Sequence, residues 1–177
     1  IYAGGDANYN AINDERYGNL GVIKIGDSFE KKNPSMGMYS DNKNAVLINK
    51  GIIEIGKNSV GMAGSKSTVL NDAGGIIKIT KDGGVGMYLG DGATGTNNGT
   101  ITTVGSPKNA IGVVVGKNSE FTNNGTIHID SAGGAGIVIA GGVVKNYGNI
   151  EVSGGAVKER IDNMRTIQIL SNRVKQV

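Results

Sequence analysis

Few residues in this chain have a type and spacing that could do chemistry. His128 is the only histidine, and Asp130 follows two residues later. On an extended strand both side chains would lie on one side and could exchange a proton. The other carboxylates are scattered singly, whereas acid–base hydrolysis or calcium binding needs them clustered, commonly with Arg or Lys to stabilise an anion. Metal binding fails on ligand count, and the absence of cysteine removes thiolate ligands, thiol catalysis and disulfides together. GDGATG (Gly90 to Gly95) looks like a phosphate-binding loop, but no helix signal and no Lys-Ser/Thr pair follow it, so a turn is expected. The expectation is a protein with no catalytic residues, no metal and no cofactor, in which His128 and Asp130 are exposed strand residues.

Composition says what must position such residues. The 177 residues include 31 glycines, more than twice the usual share of about 7%, without the period of collagen. Only 38% of residues are apolar and 5% aromatic, with no Trp, which suits a thin core shared by many short strands. The net charge of +3 arises wholly in the last 22 residues; residues 1–155 carry 13 basic and 13 acidic side chains. No basic stripe with stacking aromatics is visible, so nucleic acid is not an expected partner. No apolar run approaches the roughly 18 residues of a spanning helix, so this segment is not expected to insert in a membrane. With no signal peptide and a start in mid-phrase at Ile1, the chain reads as a mature fragment.

Self-similarity organises the rest. The phrases NLGVIKI, NKGIIEI, GGIIKI, NNGTITT, NNGTIHI and NYGNIEV share a glycine at Gly21, Gly51, Gly75, Gly99, Gly125 and Gly148. A second phrase, MGMY, VGMA, VGMY, IGVVV and AGIVI, is anchored by Gly37, Gly61, Gly86, Gly112 and Gly136, and a third apolar run ends at each asparagine. Three short strands per two dozen residues predict an all-β protein: a parallel β-helix (β-solenoid) of about six to seven coils of 23–26 residues, roughly 30 Å long. Alternation puts Ile23, Ile53, Ile77, Ile101, Ile127 and Ile150 in one inward column, and Ile25, Ile55, Ile79, Thr103, Ile129 and Val152 in the next. Between them Lys24, Glu54, Lys78, Thr102, His128 and Glu151 face outward, so the neighbours of His128 are Thr102 and Glu151. Met38, Met62 and Met87 stack with Val113 and Ile137 as core filling. Asn19, Asn49, Asn71, Asn97, Asn123 and Asn146 are expected to form an inward amide ladder, solvated turn residues being the alternative.

The repeat divides the chain into an N-terminal partial coil or extension (1–18), a repeat body (19–155) and a shortened terminal coil or cap (156–177). Asn163, Thr166, Ile167, Gln168 and Ile169 fit the first-strand frame, with Met164 and Arg165 where other copies carry glycine. That predicts a last coil over 149–170, in rivalry with an amphipathic helix from Val157 through Met164.

The pairing of N-x-G-x-I-x-[IV] with [AVI]-G-[MVI]-x resembles the passenger regions of large type V autotransporters, particularly fusobacterial-type adhesins, over residues 19–155 and more loosely to 170. The resemblance implies a right-handed parallel β-helix acting as a structural passenger on the bacterial cell surface, on the extracellular side of the outer membrane, or secreted. It also implies a C-terminal translocation barrel elsewhere in the full chain, and adhesion to host-cell or bacterial surface proteins or glycans. The alternative is a carbohydrate-active β-helix lyase or hydrolase whose active site lies outside this fragment. The first coil carries the longest excursion, GDSFEKKNPS (Gly26 to Ser35). Its Phe29, Lys31 and Lys32 are the candidate binding residues, an aromatic with flanking cations that suits protein or glycan, with Tyr9 and Tyr17 expected nearby. Against this stands a plain loop with Phe29 folded back as a lid on the core edge.

Overall fold

The computed structural model describes residues 2–3, 18–161 and 169–171. Strands β1 (Tyr2–Ala3) and β2 (Gly18–Asn19) precede five complete three-strand turns. The first two turns are β3 (Val22–Ile25), β4 (Met36–Ser40), β5 (Val46–Asn49) and β6 (Ile52–Ile55), β7 (Val60–Gly64), β8 (Thr68–Asn71). The third is β9 (Ile76–Ile79), β10 (Val85–Leu89), β11 (Thr94–Asn97), and the fourth β12 (Thr100–Thr103), β13 (Ile111–Val115), β14 (Glu120–Asn123). The fifth is β15 (Thr126–Asp130), β16 (Ala135–Ile139), β17 (Val143–Asn146), followed by β18 (Asn149–Ser153), β19 (Val157–Ile161) and β20 (Ile169–Ser171). Every third strand pairs in parallel, giving sheet A (β1 through β19), sheet B (β2 through β20) and sheet C (β3 through β18). This is the expected right-handed parallel β-helix, the hand favoured by parallel crossovers, with five complete turns where six to seven coils were expected. The flanking strands account for the difference.

The isoleucine columns hold the core. Ile53 pairs with Ile77, Ile77 with Ile101, and Ile101 with Ile127, and all four are fully buried. Phe121, the largest buried side chain, stands beside Gly95 in sheet B, where a Cβ on the glycine would press within 2.9 Å of a Leu89 methyl. A large residue beside an absent one keeps the column filled. The corners hydrogen-bond like the strands: Gly90 N–H donates to Gly64 O at 2.7 Å and Gly116 N–H to Leu89 O at 2.7 Å. Main-chain pairing therefore continues from turn to turn around the corner.

Two corners bend through left-handed residues. Asn58, Gly83, Asn109 and Gly133 occupy one column between sheets C and A with φ of 52°, 69°, 54° and 69°. Asparagine and glycine are the residues that reach this region at least cost. The third corner is held by the asparagine ladder. The Nδ2 of Asn19 donates to Asn49 Oδ1, Asn49 to Asn71, Asn71 to Asn97, Asn97 to Asn123 and Asn123 to Asn146, at 2.7–2.8 Å throughout. Asn49, Asn71, Asn97 and Asn123 are fully buried, so the inward ladder is observed and the solvated alternative fails.

The end of the chain departs from the sequence reading. Val157–Ile161 form β19 against β16, which removes the helix over those residues. Ile169 lies opposite Val144 and Ser171 opposite Asn146, so Ile169 belongs to a third strand and not to the first-strand column. The reason is chain order: after β19 takes the second-strand place, a third strand must follow before another first strand can begin. Asn163, Met164, Arg165, Thr166, Ile167 and Gln168 lie outside the described residues, as do Tyr9 and Tyr17.

Candidate functional site

The three sheets turn different chemistry to solvent. Sheet C shows the expected outward column, in which Lys24 meets Glu54 at 3.6 Å and His128 Nδ1 meets Glu151 Oε2 at 3.0 Å. The outward positions of sheet B are Val46, Ile48, Thr68 and Leu70 in the first two turns and Thr94, Thr96, Glu120, Thr122, Val143 and Lys145 further on, with Lys145 reaching Glu120 at 3.6 Å. Sheet A is apolar on its outer side as well as its inner side. Val60, Val85, Ile111 and Ala135 form one outer column, and Ala63, Tyr88, Val114 and Val138 another; of these Val60, Ala63, Ala135 and Val138 are buried, Val85, Ile111 and Val114 half-buried and Tyr88 exposed.

The glycine of each VGM phrase explains how both columns arise. Met87 and Leu89 point into the core, so Tyr88 between them points out. Gly86 also faces inward, since a Cβ there would stand 2.7 Å from the Ile101 Cγ2 methyl. Two successive inward positions break the alternation, and the first must lack a side chain. Val85 is thereby returned to the outer surface beside Tyr88.

Between these columns and the left-handed corner lies a groove of ≈ 400 Å³. Its floor is Val60, Val85, Ile111, Val114 and Tyr88, its wall Asn58, Gly83, Asn109 and Gly133, and it is met by Lys31 and Pro34 from the long loop and by Arg160 from β19. Tyr88 is 43% exposed. The long loop is tied down where Ser28 Oγ accepts the Ser35 N–H at 2.6 Å and bonds Ser59 Oγ at 3.0 Å. Lys31 then leans across the second turn, its Cε 3.6 Å from where a Gly83 Cβ would stand.

Of the candidate residues, Lys31 is brought to the groove and Lys32 is not. Phe29 borders a smaller depression of ≈ 250 Å³ with Asp27, Ser28, Lys57 and Asn58, and is itself wholly exposed at 103%. It does not cover the core edge, so the lid arrangement is absent. Sequence reasoning missed Val85, Tyr88, Ile111 and Val114. The signal was present: IGVVV and AGIVI are apolar at every position, the mark of a strand with two apolar faces.

The titratable residues are drawn to separate partners. Hydroxyl groups of Ser106 and then Ser153 donate to Asp130 and hold its carboxyl below the usual range, with a smaller contribution from His128. His128 and then Asn149 lower the Glu151 carboxyl by hydrogen bonding. His128 thus contacts Glu151 on the next turn and not Asp130 on its own strand. Gly90–Gly95 forms the corner from β10 into β11, with Gly92 at φ 68°. Among the described residues no three His, Asp or Glu side chains gather as a metal set, and no helix is long and apolar enough to cross a membrane.

These features define a parallel β-helix with an internal amide ladder and one apolar outer face. A family model described as the BigA third pectate lyase-like domain matches residues 57–172, more than half of the chain, and the chain belongs to that family. Searches of the curated proteins and of the solved structures returned no match.

Proposed function

We propose that this chain is a structural passenger segment of a bacterial surface adhesin of the autotransporter kind, which displays its outer surface for contact with host cells or other bacteria and performs no catalysis. The observation that carries this reading is the lining of the groove: Val60, Val85, Ile111, Val114 and Tyr88 with Lys31 and Arg160, and no Asp, Glu or His. Such a surface suits contact, whereas glycoside cleavage needs a carboxyl beside the scissile bond. Membership of a family named for BigA, and the fusobacterial-type repeat phrases, support export to the cell surface behind a translocation barrel encoded elsewhere in the full chain. The pectate lyase-like part of the family name keeps one rival reading, a carbohydrate-active enzyme with its active residues on other coils.

Fusing the 177 residues to a carrier barrel on a non-adherent bacterium tests both. Gained adherence to host cells or to other bacteria, with no release of unsaturated or reducing sugar ends from uronate polymers, is the expected result. Product release without adherence would replace this reading with the enzymatic one.

A further inference from the structure

We infer that the outer face of sheet A is a docking groove for an extended segment of a partner protein in which acidic side chains alternate with aliphatic ones. The inference rests on the adhesive reading for its biological setting and names the partner's chemistry.

The floor decides the apolar half. Val60, Val85 and Ile111 follow one another up successive turns about 4.8 Å apart, making a strip of roughly 10 Å, the length of about three residues of extended chain, with Val114 on the same strand as Ile111. A soluble sheet face normally alternates to polar outside, as sheets B and C do in their middle turns at Thr94, Thr96, Thr100 and Thr102, although Ile48 and Leu70 on sheet B and Ile52 and Ile76 on sheet C also face outward. A linear glycan would call for aromatic platforms and polar groups along the floor; Tyr88 is the one aromatic residue in the groove lining, and the polar groups sit on the wall. Branched aliphatic side chains are the better match to Val, Ile or Leu of a polypeptide.

The rim decides the charge. Lys31 and Arg160 are the charged residues of the groove lining, and Lys57, Lys81 and Lys108 are exposed one or two residues before its wall residues Asn58, Gly83 and Asn109. None of these four lysines joins a salt bridge among the described residues. Three acids that share these corners are already engaged. Asp27 accepts the Lys57 N–H at 2.7 Å, Asp82 accepts the Lys108 N–H at 2.8 Å, and Asp130 is held by Ser106 and Ser153. Those hydrogen bonds leave the carboxylates charged, so with Glu30 four acids stand among the four lysines and Arg160. The groove lining itself holds Lys31 and Arg160 and no acid beside its apolar floor, which is complementary to acidic side chains projecting from an apolar segment. Residues 172–177 of this chain carry Arg173 and Lys175 and no acid, so like charge disfavours its own terminus as occupant.

The test pans a random-peptide display library on the immobilised 177-residue chain, with carboxylated and sulfated oligosaccharides arrayed in parallel. Enriched peptides should combine Asp or Glu with Ile, Leu or Val, and should bind less tightly as salt rises. Binding should fall about ten-fold or more in Val114→Asp and in Lys81→Glu/Lys108→Glu, with Tyr88→Ala as a milder floor variant. All three changes lie on the outside, and unchanged melting verifies the fold. Peptides without acidic–aliphatic character, or affinity indifferent to the variants, would overturn the inference. So would oligosaccharide binding lost in the same variants, which assigns the face to a glycan, or a dimer of the parent chain dissolved by Val114→Asp, which assigns it to a second copy. Surface-displayed groove variants that still adhere would sink this inference and leave the adhesive reading standing. Peptide capture by a chain that confers no adherence would do the reverse.

Discussion

Ile127 and His128 are neighbours on one strand with opposite environments, the first fully buried and the second facing Glu151 in solvent. Ile127→Ala leaves a void between packed turns and is expected to cost about 2–5 kcal/mol in urea unfolding, whereas His128→Ala should stay within about 0.5 kcal/mol. Equal losses would refute the column assignment. Asn97 offers a second contrast, since its amide accepts from Asn71 and donates to Asn123 inside the core. Asn97→Leu should cost about 1–3 kcal/mol for each amide left without a partner, though Leu is the more apolar residue. Asp130 and Glu151 set the acid limb. A carboxyl whose folded pKa is lowered contributes stability that is fully present above its unfolded value, about 4, and is lost as pH falls through the folded value. Asp130→Asn and Glu151→Gln should therefore flatten the fall in stability below about pH 4 and leave the slope from pH 6 to 8 unchanged. A fall of unchanged steepness below about pH 4 in both variants would refute the assignment.

At the scale of the strand, recurrence made the design legible. A residue that returns every turn for packing or hydrogen bonding, such as Ile53 and its copies or Asn49 and its copies, announces itself by position alone. The glycines of the VGM phrases were equally visible, but their reason was not, because the doubled inward step at Gly86 and Met87 appears only when Ile101 is seen against them. The outer face of sheet A was obscured for the opposite cause: Val60, Val85, Ile111 and Ala135 vary in size and belong to strands whose inner side is apolar too. The last strand was misplaced because Thr-Ile-x-Ile states a strand's propensity and not its sheet. The long loop illustrates the limit of composition, as Phe29 looks like a residue seeking cover and finds none. Phe29→Ser should leave melting unchanged, a shift within about 0.5 kcal/mol. Ser28→Ala should cost more, because it strips the Ser35 N–H of its acceptor and the buried Ser59 of a partner. A destabilised Phe29 variant would mean that the ring covers apolar surface after all.

For the molecule as a whole, the turn is the unit that the sequence can gain or lose. Each turn contacts the turns before and after it, so stability should be close to a sum of turns and their interfaces. Residues 76–99 span one complete turn, from the residue after Gly75 through its equivalent Gly99. Their removal joins Gly75 to Thr100 in register: Ile53 then stacks on Ile101, Asn71 donates to Asn123, and Met62 meets Val113. Every inward column continues, and the corner between sheets C and A keeps Asn58, Asn109 and Gly133 at its left-handed position. The shortened chain should fold as the same helix, about 4.8 Å shorter, with a smaller denaturant m value in keeping with the surface no longer buried. Removing residues 76–89 instead deletes two strands of one turn and leaves β11 to follow β8 directly. Only residues 72–75 and 90–93 would then join two sheet B strands, too little chain to travel around the core through sheets C and A, so neighbouring columns could not stay in register. That variant should lose cooperative unfolding by circular dichroism, while the full-turn deletion keeps it. If both deletions unfolded the chain alike, the β-helix would be one indivisible core in place of a stack of equivalent turns.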